Sequence, residues 1–169
     1  DGACDCDGNV DAGCGCGEAG PSGCDETCGS TLVDDDCGEC GGDGSSCLAS
    51  LSLGAFDASG SLEVLYDFGS DVAGFQFDVS GLALTGGSGG AAGDTGFEVS
   101  TGAETVIGFS FTGATVLAGS GVLTVLEFSS VTAGSTELSL GNFGAVTSPG
   151  AVEYNATASG SVNHGSPDC

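Results

Sequence analysis

The chain has 169 residues with 24 Asp and Glu and neither Lys nor Arg, so its formal net charge at pH 7 is −24. That balance excludes Lys and Arg salt bridges, phosphate clamps, Schiff-base lysines, basic grooves for DNA or RNA, and attachment to an anionic membrane surface. The uncompensated charge calls for a counter-ion, and calcium, a divalent cation that prefers carboxylate oxygen, suits it best.

Composition changes near residue 48. Residues 1–47 hold nine of the ten cysteines and twelve of the acids, without one Phe, Tyr or Trp. Such an arm cannot fold by burying a core and needs covalent or metal staples. An even cysteine count in a small acidic chain points to disulfides and an oxidising, extracellular compartment. The cysteines expected to pair are Cys4, Cys6, Cys14, Cys16, Cys24, Cys28, Cys37, Cys40 and Cys47, with Cys169 left over at the far end. Cys169 then returns to its own arm or reaches a neighbouring subunit. The start at Asp1, with no apolar leader, reads as a mature or excised piece of a secreted precursor.

Within the arm, Asp5-Cys6-Asp7-Gly8-Asn9-Val10-Asp11 places oxygen-bearing side chains at alternate positions beside a glycine. That pattern can wrap a loop around a hard cation, with Asp5, Asp7, Asn9 and Asp11 as ligands. It resembles the calcium loops of EF-hands, dockerins and thrombospondin type 3 repeats. It departs from the EF-hand at Val10, where the turn glycine belongs, and at Cys16, where the bidentate Glu belongs. A shorter, disulfide-braced calcium loop is the expectation. Asp34, Asp36, Glu39 and Asp43 offer a second calcium set. Solvated acidic turns are the alternative at both places, and Cys37-x-x-Cys40 also has a spacing found in zinc sites.

Residues 48–163 alternate with period two, the mark of half-buried strands. Leu62, Val64, Tyr66 and Phe68 share one face, and Ala73, Phe75, Phe77 and Val79 share another. Ile107, Phe109 and Phe111 continue the inward set, as do Val122, Thr124, Leu126 and Phe128. The last stretch places Val152, Tyr154, Ala156, Ala158 and Val162 inward, and Glu153, Asn155, Thr157, Ser159 and Ser161 outward. Gly-rich turns such as Gly86-Gly87-Ser88-Gly89-Gly90 separate the runs, and no helical stripe stands out. Eight or nine strands of this kind make an all-β jelly-roll or Ig-like sandwich. Residues 164–169 form a polar tail.

Val72-Ala73-Gly74-Phe75-Gln76-Phe77-Asp78-Val79 and Gly119-Ser120-Gly121-Val122-Leu123-Thr124-Val125-Leu126-Glu127-Phe128 resemble strand motifs of cohesins. Glu137-Leu138-Ser139-Leu140-Gly141-Asn142 and Ser159-Gly160-Ser161-Val162 fit the same pattern. The resemblance spans about residues 50–163 and extends in part to carbohydrate-binding modules with a jelly roll. It implies a non-catalytic sandwich; cohesins bind calcium-loaded dockerins.

Two functions follow as expectations. The first is a structural protomer of an extracellular filament or surface layer, a homo-polymer grown head-to-tail through the arm with calcium and disulfides. The alternative is a cohesin-like protein- or carbohydrate-binding module of a larger secreted adhesin. Neither is an enzyme, because the one histidine, His164, falls in the tail. Asn155-Ala156-Thr157 is the single N-glycosylation sequon, so glycans are further expected partners.

Overall fold

The structure is a computed structural model and describes residues 2–164. Two compact units divide it, Asp1–Ser46 and Cys47–Cys169.

The first unit is built from short hairpins rather than a core. Isolated bridges join Ala3 to Val10, Asp11 to Cys16, Ser22 to Thr27 and Asp34 to Cys40. Three disulfides clip the hairpins in a staggered series: Cys4–Cys16, Cys14–Cys28 and Cys24–Cys40, spaced 12, 14 and 16 residues apart. Cys37 and Cys47 are disulfide-bonded as well. Closing loops of this size removes about 3 kcal/mol each of unfolded-state entropy. Among the described residues every buried side chain lies in the second unit, so these links replace the core that the arm's composition withholds.

The second unit is a β-sandwich. One sheet has the order β10-β1-β2-β7-β4 and the other β11-β8-β3-β6-β5, with β9 also paired to β3. The strands are β1 Leu48–Asp57, β2 Ser61–Phe68, β3 Gly74–Val79, β4 Leu82–Ser88, β5 Glu98–Gly102 and β6 Thr105–Phe109. After these come β7 Gly119–Val131, β8 Ser135–Ser139, β9 Ala145–Thr147, β10 Asn155–Ala158 and β11 Ser161–Asn163. Leu51, Leu62, Val64, Leu123 and Leu126 from one sheet meet Phe77, Val79, Val106 and Val146 from the other, all almost fully buried. Each such side chain contributes about 1.5–3 kcal/mol. Among the described residues no helix is long and apolar enough to cross a membrane.

The alternation holds in β2 and β3, where Leu62, Val64, Phe68, Phe75, Phe77 and Val79 are buried. In β7 it holds at Thr124, Leu126 and Phe128 and slips only at the start, where Leu123 rather than Val122 is buried. The register against β2 shifts between Val64 and Leu65, which turns Leu123 into the core beside Thr124. Among the described residues there are eleven strands rather than the expected eight or nine, because the last third of the sandwich is cut into short pieces. The expected glycine turn is also redistributed: Gly86 and Gly87 lie in β4, and Gly90–Asp94 form one helical turn, α1.

Two expectations are corrected outright. Val152 is 64% exposed rather than inward, because it closes the turn in which Ser148 N–H bonds Val152 O, ahead of β10. More consequentially, Ile107, Phe109 and Phe111 do not face the core. The β6 residues that do are Val106 and Gly108.

Candidate functional site

Gly108 explains the inversion of β6. Its inner surface is occupied by the Phe75 ring, and a Cβ at that position would run into the ring. Phe75 in turn stacks on Phe77 and Phe97, with ring centroids 5.8 and 5.9 Å apart. The side chains of a strand point alternately to opposite faces, so a glycine that receives an aromatic ring turns its neighbours outward. Counting apolar residues favours the larger set, 107/109/111. Packing favours the smaller one, because β3 already fills the space.

The outward face that results can be read from the pairing. Phe109 lies between Glu98 of β5 and Gly74 of β3, and Gly74 is followed by Thr147 of β9. Ile107 lies between Ser100 and Gln76, with Ala145 beyond. Thr105 lies between Gly102 and Asp78, and its hydroxyl donates to the Asp78 carboxylate at 2.9 Å. Ile107 is 39% exposed and Phe111, just past the strand, 82% exposed. Phe109 and Phe111 meet edge to face at 4.9 Å. The turn between β8 and β9 carries Phe143, also 82% exposed, and its Gly141 sits against the Asp78 carboxylate. The face is thus an apolar stripe flanked by small residues and by Gln76, with Glu98 and Asp78 at its margins. Exposed aromatics grouped this way are characteristic of recognition surfaces.

In the arm the acidic side chains act on their own turns. Asp5 Oδ1 accepts the N–H groups of Asp7 and Asn9, both at 2.9 Å, and Oδ2 accepts the Asn9 side-chain amide. Asp11 repeats the pattern with Gly13 at 2.8 Å and Gly15 at 3.0 Å. Asp35 does so with Cys37 at 2.9 Å and Glu39 at 2.8 Å, and adds Gly44 at 2.7 Å. Each is an Asx turn that extends to the fourth residue, the local bonding for which Asp is favoured in turns. In two of them a left-handed glycine follows three residues after the Asp: Gly8 at φ 84° and Gly38 at φ 80°.

The accepted hydrogen bonds hold these carboxyls below their ordinary range. For Asp5 the Asn9 side-chain amide is the leading cause, for Asp11 the Gly15 N–H, and for Asp35 the Glu39 N–H. The Asp25 and Asp43 carboxyls are lowered chiefly by the hydroxyls of Ser30 and Ser45.

Of the eight expected metal ligands, Asp5 and Asn9 are brought together, but the amide turns its nitrogen rather than its oxygen to Asp5. Asp7, Asp11, Asp34, Asp36, Glu39 and Asp43 are exposed. Among the described residues, the one grouping of three candidate ligand atoms within 4.8 Å is Cys24, Asp34 and Cys40. Its two sulfurs are bonded to each other, which removes them as thiolate ligands. Asp35, outside both expected sets, organises the second loop. Its position two and four residues before donor N–H groups, as with Asp5, is the signal that marks it.

Cys6 is exposed and has no disulfide partner among the described residues, and Cys169 lies outside them. His164 is not a tail residue. Its ring lies 4.7 Å from that of Phe56, and its Nε2 is 2.7 Å from the hydroxyl of the buried Thr136. The two rings help line a cavity of about 670 Å³ with Ala58, Val131 and Asn163.

Comparison with solved structures finds cohesin domains among those to which the chain is similar. The sandwich is similar to a non-cellulosomal cohesin from the hyperthermophilic archaeon Archaeoglobus fulgidus, at 13% identity and a TM-score of 0.48, covering 68% of this chain and 89% of that one. It is also similar to the sixth cohesin of Acetivibrio cellulolyticus scaffoldin B, solved in complex with a Cel5 dockerin mutant. There the identity is 18%, the TM-score 0.45 and the coverage 68% and 96%. No family model matches the sequence, and no curated protein does.

Proposed function

We propose that the second unit is a non-catalytic, cohesin-like protein-binding module of an extracellular protein, and that it binds through the outward face of β5, β6 and β3. The observation that carries this reading is the reversal of β6. A strand that could have buried Ile107 and Phe109 presents them instead, beside Phe111, among Gly74, Gln76, Ser100, Ala145 and Thr147. Burying such aromatic anchors is what stabilises a protein interface. Charge restricts the partner. A chain of net charge −24 repels an acidic surface, and Glu98 and Asp78 flank the stripe. The partner therefore offers an apolar centre with a basic or cation-bearing rim.

The filament reading requires the arm to dock on a neighbour, and no observation favours it over a module with its own recognition face. Calcium belongs to the proposal as the counter-ion of the arm, held by exposed carboxylates among Asp7, Asp11, Asp34, Asp36, Glu39 and Asp43. Secretion fits the disulfides of the arm.

The test is affinity capture from the native extracellular fraction, with the wild-type chain and an Ile107→Ser/Phe111→Ser variant as baits, in calcium and in EDTA. A partner retained by the wild type and lost by the folded variant is the expected result. Equal retention by both, or sedimentation of the chain alone as an open polymer, overturns the reading.

A further inference from the structure

We propose that Asn155 carries an N-linked glycan and that this glycan guards the open edge of the five-stranded sheet. Of the four asparagines in the chain, Asn155 alone is followed by a residue other than proline and then Thr. The fold adds what the motif cannot. Ala156 and Ala158 pack against the core, so Asn155 and Thr157 project together on the opposite side, and both are exposed. Neither side chain has a hydrogen-bond partner among the described residues, which leaves the amide and the hydroxyl free for a transferase to engage. The oxidising compartment implied by the disulfides is where such transfer takes place.

The transfer itself is redox-neutral. Asn155 Nδ2 attacks the anomeric carbon of a lipid-phosphate-linked oligosaccharide. The new C–N bond replaces the C–O bond to phosphate, the lipid phosphate leaves with the electron pair, and the amide proton passes to a base of the transferase.

The location gives the glycan its role. β10 is the outermost strand of its sheet and pairs on one side only, in parallel with β1. Asn155 and Ser159 donate to Cys47 and Leu51, so the alternate backbone groups of Ala156 and Ala158 face away from β1. An unpaired edge is a template for pairing with another chain, and proteins commonly blunt it with lysine. This chain has no lysine. A hydrated glycan on Asn155 supplies the obstruction instead.

The test uses protein from its native source, cleaved at acidic residues because trypsin has no site. The peptide containing Asn155 is expected to appear only after enzymatic release of N-glycans in H₂¹⁸O, and then with Asn155 converted to ¹⁸O-labelled Asp. Full recovery of the unmodified peptide without that treatment overturns the proposal. Asn155→Gln and Thr157→Ala should each remove the whole glycan mass, whereas Thr157→Ser should keep it. Sedimentation tests the guarding role. Both glycan-free variants should self-associate at concentrations where wild type and Thr157→Ser stay dispersed, and equal dispersal of all four overturns it.

Discussion

The arm and the sandwich use one alphabet, acid, glycine and small residues, and reach order by opposite routes. In the sandwich, order comes from inside: Phe77, Leu51, Leu62 and Leu126 are sealed between two sheets, and acids such as Glu98 and Glu127 stay outside. In the arm it comes from covalent links and from side chains bonded to the backbone beside them, as in Asp35 with Cys37, Glu39 and Gly44. Acids such as Asp57, Asp71 and Asp78 accept hydrogen bonds in the sandwich too, but there a hydrophobic core carries the order, whereas in the arm the acids organise the turns themselves. The two units should fail under different insults.

Reduction should separate them most sharply. With its disulfides opened, the arm loses about 3 kcal/mol per loop and has no apolar core to fall back on. Hydrogen exchange followed with and without reductant should show the arm's amides losing all protection, while those of β2 and β7 are unchanged. Persisting protection in the reduced arm, or its loss in β7, would break the comparison.

The next effect lies inside the sandwich. Gly108→Ala places a methyl group where the Phe75 ring sits and should cost about 1–3 kcal/mol as an overpacked core site. Ile107→Ser, one residue away but facing solvent, should stay within about 0.5 kcal/mol. Equal losses in denaturant unfolding would mean that β6 does not present its apolar residues to solvent.

How far the sequence reveals this molecule depends on the range of the forces concerned. Strands β2 and β3 are legible because Leu62, Val64, Phe75 and Phe77 alternate with polar residues, and a two-residue period is local information. The facing of β6 is not legible, since it depends on a ring 33 residues earlier in the chain filling the gap at Gly108. The Leu123 slip in β7 and the packing of His164 on Phe56 are likewise settled between strands. In the arm, oxygen-rich loops are visible as a pattern, yet the pattern that suits a cation also suits an Asx turn. Asp35 was hidden among three consecutive acids, although its spacing to Cys37 and Glu39 repeats that of Asp5 to Asp7 and Asn9.

The smallest effect, and the finest division between the units, lies in acid. Asp5, Asp11 and Asp35 have carboxyls lowered by the N–H groups they accept, so their contribution to folding is fully present above the unfolded carboxylate value of about 3.9. It is lost as pH falls through each lowered value, because a protonated carboxyl accepts these hydrogen bonds poorly. The same protonation relieves repulsion in a chain of net charge −24, an opposing gain shared by both units. Below about pH 4 the arm's turns should therefore loosen while the sandwich holds. The amide protons of Glu39, Gly44 and Cys37 report directly on Asp35, and their NMR shifts should titrate together with a midpoint below about 3.9. Asp35→Asn, which keeps an acceptor oxygen but cannot ionise, should abolish that shared titration and leave the strand amides of β7 unmoved. A midpoint at or above 3.9 would show that the carboxylate of Asp35 does not hold its turn. A titration unchanged by Asp35→Asn would assign the transition to Asp43, whose lowered carboxyl lies in the same loop.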